Sequence, residues 1–290
     1  MTSCPRLDAE IVETAQGTRL IAADGASFQL PDSDDQVLAA LRRLRRGEFD
    51  DTLPLHQRCA AEPLLSWLRT KGLLSESASD PLSGWRVRLY GLTTVGVRLA
   101  RGLLRLGVSE LTIVRARTPR PGASDPLAMI LGPRGGELGM RIRVDPYWTL
   151  SDPRIDLAVL AGPGIEPDRV VLSELGRAGI PSLVVSAHLG AARVGPLSAP
   201  GLRGCWRCRD LHICESDRDW PHIVAELSSR EPEPRAGVAA WATSLALMQL
   251  TCYRRSGTCD IMGRCLCWEE ANPGLRTITC LPHEACPCTA

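Results

Sequence analysis

Lysine is almost missing from this 290-residue chain: of 34 basic residues only Lys71 is a lysine, and the rest are arginines. That removes nearly every candidate for a catalytic lysine. Net charge is also missing, at +1, so no dominant electrostatic partner such as nucleic acid is indicated. No apolar run reaches the ~20 residues that a bilayer-spanning helix needs. The most apolar stretch, Val238 to Leu250, is interrupted by Trp241, Thr243, Ser244 and Gln249 and reads as a buried helix. Met1 to Arg6 leads into charged sequence without an apolar signal core, which places the expected compartment in the cytoplasm, with thiols reduced.

What is present falls into two parts. Residues 75 to 84 (Ser-Glu-Ser-Ala-Ser-Asp-Pro-Leu-Ser-Gly) are small, polar and turn-forming, and predict a boundary between a domain over 1–82 and one over 83–290. In the first part, Glu10–Glu13 and Thr18–Ile21 flank Gly17 as a hairpin would, and Ser27–Leu30 supplies a third short strand. Asp32 or Ser33 can cap a helix with Val37, Leu38, Leu41 and Leu44 on one face. A second helix is expected around Leu53 to Cys59, and a third opened by Pro63 and stopped at Gly72. Three strands and three helices describe a small winged-helix-like domain. Its third helix offers only Ser66, Arg69, Thr70 and Lys71 for phosphate contacts, and acids surround the Arg42–Arg46 run, so DNA binding is not expected. The other use of such a scaffold is capture of an extended peptide as an added strand. Phe28 and Leu30 on the strand, with Leu65, Leu68 and Arg69 on the helix, are the candidate groove; Leu65 and Leu68 read equally well as core.

The second part alternates strand and helix. Val87–Tyr90, a glycine turn, a helix through Val97 to Leu106 and a strand at Leu111–Val114 make a βαβ unit of Rossmann type. Leu157–Leu160, a helix near Val170–Ala178 and Leu183–Val185 continue a mostly parallel sheet, so the fold class is α/β. A phosphate-binding turn of this kind reads G-x-G-x-x-G, and here Gly91 and Gly96 stand while the middle position is Thr93. After the second strand, Arg115-Ala116-Arg117 replaces the carboxylate expected to hold ribose. Ala161–Gly164 after Leu160 lacks an acid that could hold magnesium. No catalytic and no nucleotide-binding residues are assigned.

Twelve cysteines remain to be explained. Cys205-Trp206-Arg207-Cys208 has the knuckle spacing that turns two thiolates toward one ion, and Cys286-Pro287-Cys288 is a tighter second pair. Together they are the expected metal ligands. Cys265-Leu266-Cys267 rivals the second pair, with His212, Cys214, Cys280 and His283 as further competitors. Cys252 and Cys259 have no assigned role.

These residues carry a resemblance. Val194-Gly195-Pro196-Leu197, followed by Cys205-Trp206-Arg207-Cys208-Arg209-Asp210-Leu211-His212 and Asp217–Pro221, resembles the V-G-P-L … C-x-x-C-x-D-L-H stretch of cyclodehydratase-associated, ThiF-like proteins of ribosomal peptide natural-product clusters. Those proteins belong to a superfamily related to ubiquitin-activating enzymes. Pro282-His283-Glu284-Ala285-Cys286-Pro287-Cys288 is similar to the family's H-P-x-C-x-C terminus, with Glu284 in place of the proline. The resemblance implies a ThiF-type domain with a structural zinc ion, joined to a winged-helix precursor-recognition element. It also implies a non-catalytic role: binding the leader of a precursor peptide for a separate YcaO-type, ATP-dependent cyclodehydratase of azole or thiopeptide biosynthesis. Adenylation of a peptide is the rival activity. Whether the chain pairs as a homodimer is left open.

Overall fold

The computed structural model describes residues 4–30, 34–46, 48, 55–77, 81–115, 130, 141–145, 147–149 and 154–289. The chain divides into two compact units, Met1–Ser79 and Asp80–Ala290.

In the first unit, β2 (Ala9–Thr14), β3 (Gly17–Ala22) and β4 (Ser27–Gln29) form an antiparallel sheet in that order. The β2–β3 hairpin closes with Thr14 opposite Gly17, whose φ of +110° is open to glycine. A separate ribbon pairs β1 (Cys4–Leu7) with β5 (Leu74–Ser77), joining the two ends of the unit. Helix α1 (Asp35–Arg46) is capped by Asp34, whose carboxylate accepts from the Val37 amide at 2.7 Å. Asp32 and Ser33 lie outside the described residues. The second and third helices expected from the sequence are one continuous helix, α2 (Leu55–Thr70), with Pro63 inside it. A proline removes a single intrahelical hydrogen bond, and Leu65 and Leu68 beyond it are anchored in the core at 4% and 0% exposure. The described part of the unit therefore has two helices instead of three. Its core is made of leucines, among them Leu7, Leu20, Leu30, Leu41 and Leu44. The arginine run of α1 is neutralised, with Arg42 on Glu13 at 2.9 Å and Arg45 on Glu10 at 2.6 Å.

The second unit is built on eight strands: β6 (Arg86–Tyr90), β7 (Glu110–Val114), β8 (Arg141–Asp145), β9 (Leu157–Leu160), β10 (Ser182–His188), β11 (Ala191–Ser198), β12 (Arg264–Glu269) and β13 (Asn272–Thr279). Their spatial order is β8-β7-β6-β9-β10-β11-β12-β13. The first five are parallel; β11, β12 and β13 extend the sheet antiparallel. Helices α3 (Thr94–Arg105) and α7 (Ala236–Ser256) supply one core with Leu89, Leu111 and Val159 of the sheet. The two helices pack so closely that a Cβ on Gly102 would stand 2.1 Å from Leu247 Cδ1. The apolar stretch from Val238 belongs to α7 and is buried through Val238, Ala239, Ala242, Ala246 and Leu250. No helix among the described residues is long and apolar enough to cross a membrane.

A second core contains Leu160, Val184, Trp206 and Val171 and Leu175 of α4 (Arg169–Arg177). Helices α5 (Trp206–Ser216) and α6 (Trp220–Ser229) follow β11. Chain order reverses between β6 and β9. In open α/β sheets such a switch point makes a crevice beyond the carboxyl ends of the strands, the usual place for a ligand.

Candidate metal centre and nucleotide crevice

Cys205 is the N-cap of α5, and Cys208 lies in that helix's first turn. The chain enters the helix through Gly204 at φ +88°, where a Cβ would meet the Cys280 carbonyl oxygen at 2.0 Å. A glycine is therefore required to bring the knuckle against the end of β13. From the other side, the Cys286 amide donates to the His283 carbonyl at 2.9 Å, a turn that delivers Cys286 and, through the short 3-10 segment Pro287–Thr289, Cys288. The sulfurs stand 3.9 Å (Cys205–Cys208), 3.6 Å (Cys205–Cys286) and 3.3 Å (Cys208–Cys288) apart, and all four lie within 4.8 Å of one another. Four sulfurs at tetrahedral corners around an ion at ~2.3 Å are separated by about 3.8 Å. The four cysteines can therefore hold a metal ion.

The cysteines differ in how readily they ionise. Burial above all pushes the Cys205 thiol up and the Cys286 thiol up to about 11. Burial also opposes ionisation of Cys208. Hydrogen bonds from the Cys205 backbone and the Cys288 side chain outweigh it there and bring the thiol down to about 7. Protein groups alone thus hold Cys205 and Cys286 as thiols, and a bound cation would favour their thiolates.

The competing ligands are elsewhere. Cys265, Cys267 and Cys280 are buried in the core beneath Trp206. His212 and His283 gather with Glu215 in a separate group. Their rings meet edge to face, with centroids 4.7 Å apart.

The sequence reading missed a charged cluster beside the metal centre. Trp206 is 3% exposed and is surrounded by the guanidinium groups of Arg169, Arg193 and Arg209 at 5.0, 4.7 and 5.0 Å from its ring centroid. Glu166, 4% exposed, accepts from Arg169 at 2.8 Å and Arg193 at 2.9 Å. Asp210 accepts from Arg169 at 2.6 Å and from the Trp220 indole at 3.0 Å. Burial pushes the Glu166 carboxyl up, but Arg193, Arg209 and Arg169 prevail and hold it below the usual range. These residues come from four separate segments. Trp206, Arg209, Asp210 and Trp220 lay in stretches that the sequence singled out, whereas Glu166, Arg169 and Arg193 did not.

At the switch point, Gly91 turns out of β6 with φ +103°, and a Cβ there would stand 2.3 Å from the Ala161 carbonyl oxygen. A Cβ on Gly96 would stand 2.1 Å from the Gly91 carbonyl oxygen. Between them Thr93 is the N-cap of α3. Its hydroxyl accepts from the Gly96 amide at 3.0 Å and donates to the Ala161 carbonyl at 3.0 Å. An amide that a bound phosphate would use at a helix N-terminus is already taken. The nearest acids after β9 are also engaged. Glu166 serves the arginine cluster, and Asp168 caps α4 through the Val170 and Val171 amides and accepts from the Tyr90 hydroxyl at 3.1 Å. Arg115 is described where a ribose carboxylate was expected; Ala116 and Arg117 lie outside the described residues.

Of the candidate peptide-contacting residues, Leu30, Leu65 and Leu68 are core at 3%, 4% and 0% exposure, and Phe28 is half-buried. Arg69 is exposed and pairs with Glu62 on its own helix at 2.9 Å. Strand β4 is the edge of its sheet. The Leu30 amide bonds back to Thr18 at 3.0 Å and Phe28 is paired with Leu20, so by strand alternation the main-chain groups of Ser27 and Gln29 face outward.

No family model and no curated protein matches the chain. Solved structures do. The microcin C7 biosynthetic enzyme MccB in complex with N-formylated MccA superposes with a TM-score of 0.63 at 11% identity, covering 99% of each chain. E. coli MccB with ATP gives 0.63 at 12%, covering 98% of each. PaaA gives 0.56 at 12%, covering 95% of this chain and 99% of its own. The chain thus shares the fold of MccB along nearly its whole length, and at these identities the likeness concerns the fold alone.

Proposed function

We propose that this chain is a recognition protein of ribosomal peptide biosynthesis: its first unit binds the leader of a precursor, and its second, zinc-held unit docks a YcaO-type cyclodehydratase that forms azolines or azoles from Cys, Ser or Thr. The observation that carries the non-catalytic reading is Thr93, whose hydroxyl fills the phosphate-binding turn from within. Peptide recognition draws support from the fold likeness to MccB, whose structure has been solved in complex with N-formylated MccA. It also draws on β4, the edge of its sheet among the described residues, which an extended leader can join through the outward groups of Ser27 and Gln29. Phe28 would line the contact and Arg69 would flank it, while Leu30, Leu65 and Leu68, buried in the core, would support the strand and helix from behind. The YcaO partner rests on the resemblance of the Val194–Leu197 and Cys205–His212 stretches.

Cys205, Cys208, Cys286 and Cys288 would hold Zn2+. With four thiolates and no open position, the ion supplies folding energy and no chemistry.

Fluorescence polarisation with a labelled leader peptide encoded near this chain tests the reading. Saturable binding is expected, with Phe28→Ala weakening it by roughly tenfold or more, as loss of an aromatic anchor does; no saturation at high micromolar protein would sink it. Adenylation is the second reading, favoured by the crystal structure of MccB with ATP. ATP–pyrophosphate exchange in the presence of the peptide would establish it in place of the first.

A further inference from the structure

The His212, Glu215 and His283 group is not used by either the metal centre or the crevice. Its hydrogen bonds decide what it can do. The Ala285 amide donates to His283 Nδ1 at 3.1 Å, so that nitrogen carries no proton, and the ring's proton sits on Nε2. Nε2 then donates to Glu215 Oε1 at 3.0 Å. A metal on Nε2 would displace that proton and require a negatively charged ring, which disfavours the three residues as a second metal site. His212 Nε2 donates to the Pro282 carbonyl at 3.2 Å, and Nδ1 donates to Glu215 Oε2 at 3.4 Å in the doubly protonated ring, the form that Pro282 and then Glu215 favour. One carboxylate on the last turn of α5 thus spans two rings. One ring lies on the same helix as Cys208, and the other is in the segment that leads to Cys286 and Cys288.

His283 also shapes that segment. Its ring accepts from Ala285 and its carbonyl accepts from Cys286, so the residue that Glu215 holds is the residue that forms the turn before the last two cysteines. The Glu215 side chain itself is 63% exposed.

We infer that Glu215, bridging His212 and His283, is a clasp that fastens the chain's last turn to α5 and sets how slowly a metal ion leaves the four-cysteine centre. The inference rests on the zinc reading above. It is tested on the full-length, zinc-loaded protein by metal transfer to a chromogenic chelator, with total zinc measured beforehand. Residues that orient ligands from behind typically change metal affinity by 10–100-fold. Glu215→Ala and His212→Phe are each expected to release zinc roughly tenfold faster, with far-UV circular dichroism unchanged. The double variant should be no faster than either single, because both remove the same clasp. The exposed Glu226→Ala variant should behave as the wild type. Release from Glu215→Ala at the wild-type rate, with one zinc per chain in both, overturns the clasp and leaves the zinc reading standing. A second zinc in the wild type that Glu215→Ala lacks overturns it in favour of direct ligation by the three residues. A wild type without zinc overturns both readings together.

Discussion

Thr93→Ala removes the side chain that closes the glycine turn with two hydrogen bonds. The substitution removes the N-cap of α3, where the hydroxyl accepts from the Gly96 amide, and leaves the Ala161 carbonyl without its donor. Loss of an N-cap to alanine costs ~1 kcal/mol, and a lost internal hydrogen bond costs ~1 kcal/mol more. About 2 kcal/mol in a unit of this size corresponds to a melting temperature lower by roughly 4–8 °C. Thr93→Ser keeps the hydroxyl and both bonds, so it should melt close to the wild type. Differential scanning fluorimetry on the three proteins reads the difference. The same experiment with millimolar MgATP reads the other half of the argument, since a ligand at a hundred times its Kd would add ~2.7 kcal/mol. No upward shift is expected for the wild type. The reasoning fails if Thr93→Ala melts within about a degree of the wild type, or if MgATP raises the wild-type melting temperature by several degrees.

Zinc content should follow the geometry: Cys208→Ser is expected to lose the metal and destabilise the second unit, because metal binding and folding are coupled, whereas Cys267→Ser, altered in the core, should keep one zinc per chain by elemental analysis. The reverse pattern would reassign the ligands. Glu166 should leave a pH signature. Its carboxyl lies below the ordinary value of 4.5 in the folded chain, so the stabilisation is complete above that value and is lost as pH falls through the folded one. Glu166→Gln should therefore cost on the order of 3 kcal/mol near neutral pH, as removing one partner of a buried ion pair does. In urea titrations the variant should show a flatter decline than the wild type below about pH 4.5; parallel acid limbs would refute the assignment.

Those elements that were legible in the sequence declare themselves locally. The strand–glycine–helix run from Val87 to Leu106, the hairpin at Gly17 and the buried helix from Val238 each carry their own period or turn residue. Elements defined by distant partners did not. Strand β1 is four residues long, contains Pro5, and exists only because β5 lies some seventy residues away to pair with it. Every residue of β13 is exposed, so no alternation of polar and apolar side chains could mark it as a strand. Helix α2 runs through Pro63 because tertiary packing of Leu65 and Leu68 overrides the local penalty. For the metal centre, the two cysteine pairs were visible by spacing and Cys286–Cys288 was the expected second pair; the fold gives the reason that Cys265–Cys267 does not compete. Antiparallel strand β12 carries the latter pair into the core beneath Trp206 and away from the knuckle.

The glycine turn shows why a fingerprint can survive without its ligand. Its three glycine positions answer to different demands: a tight turn, approach of phosphate, and packing of helix on strand. In this chain the first and third are fixed by protein atoms alone. A Cβ on Gly91 would collide with the Ala161 carbonyl, and one on Gly96 with the Gly91 carbonyl, whether or not a nucleotide is ever present. The middle position has no such constraint. Thr93 has φ −82° and ψ 174°, an extended conformation open to any residue, and its side chain adds two hydrogen bonds to the turn. Where nothing binds, a hydroxyl that satisfies a helix amide is more stabilising than a glycine that leaves it to water. Gly91 and Gly96 therefore report the architecture of the sheet and helix α3. The residue that bears on nucleotide use is the one between them.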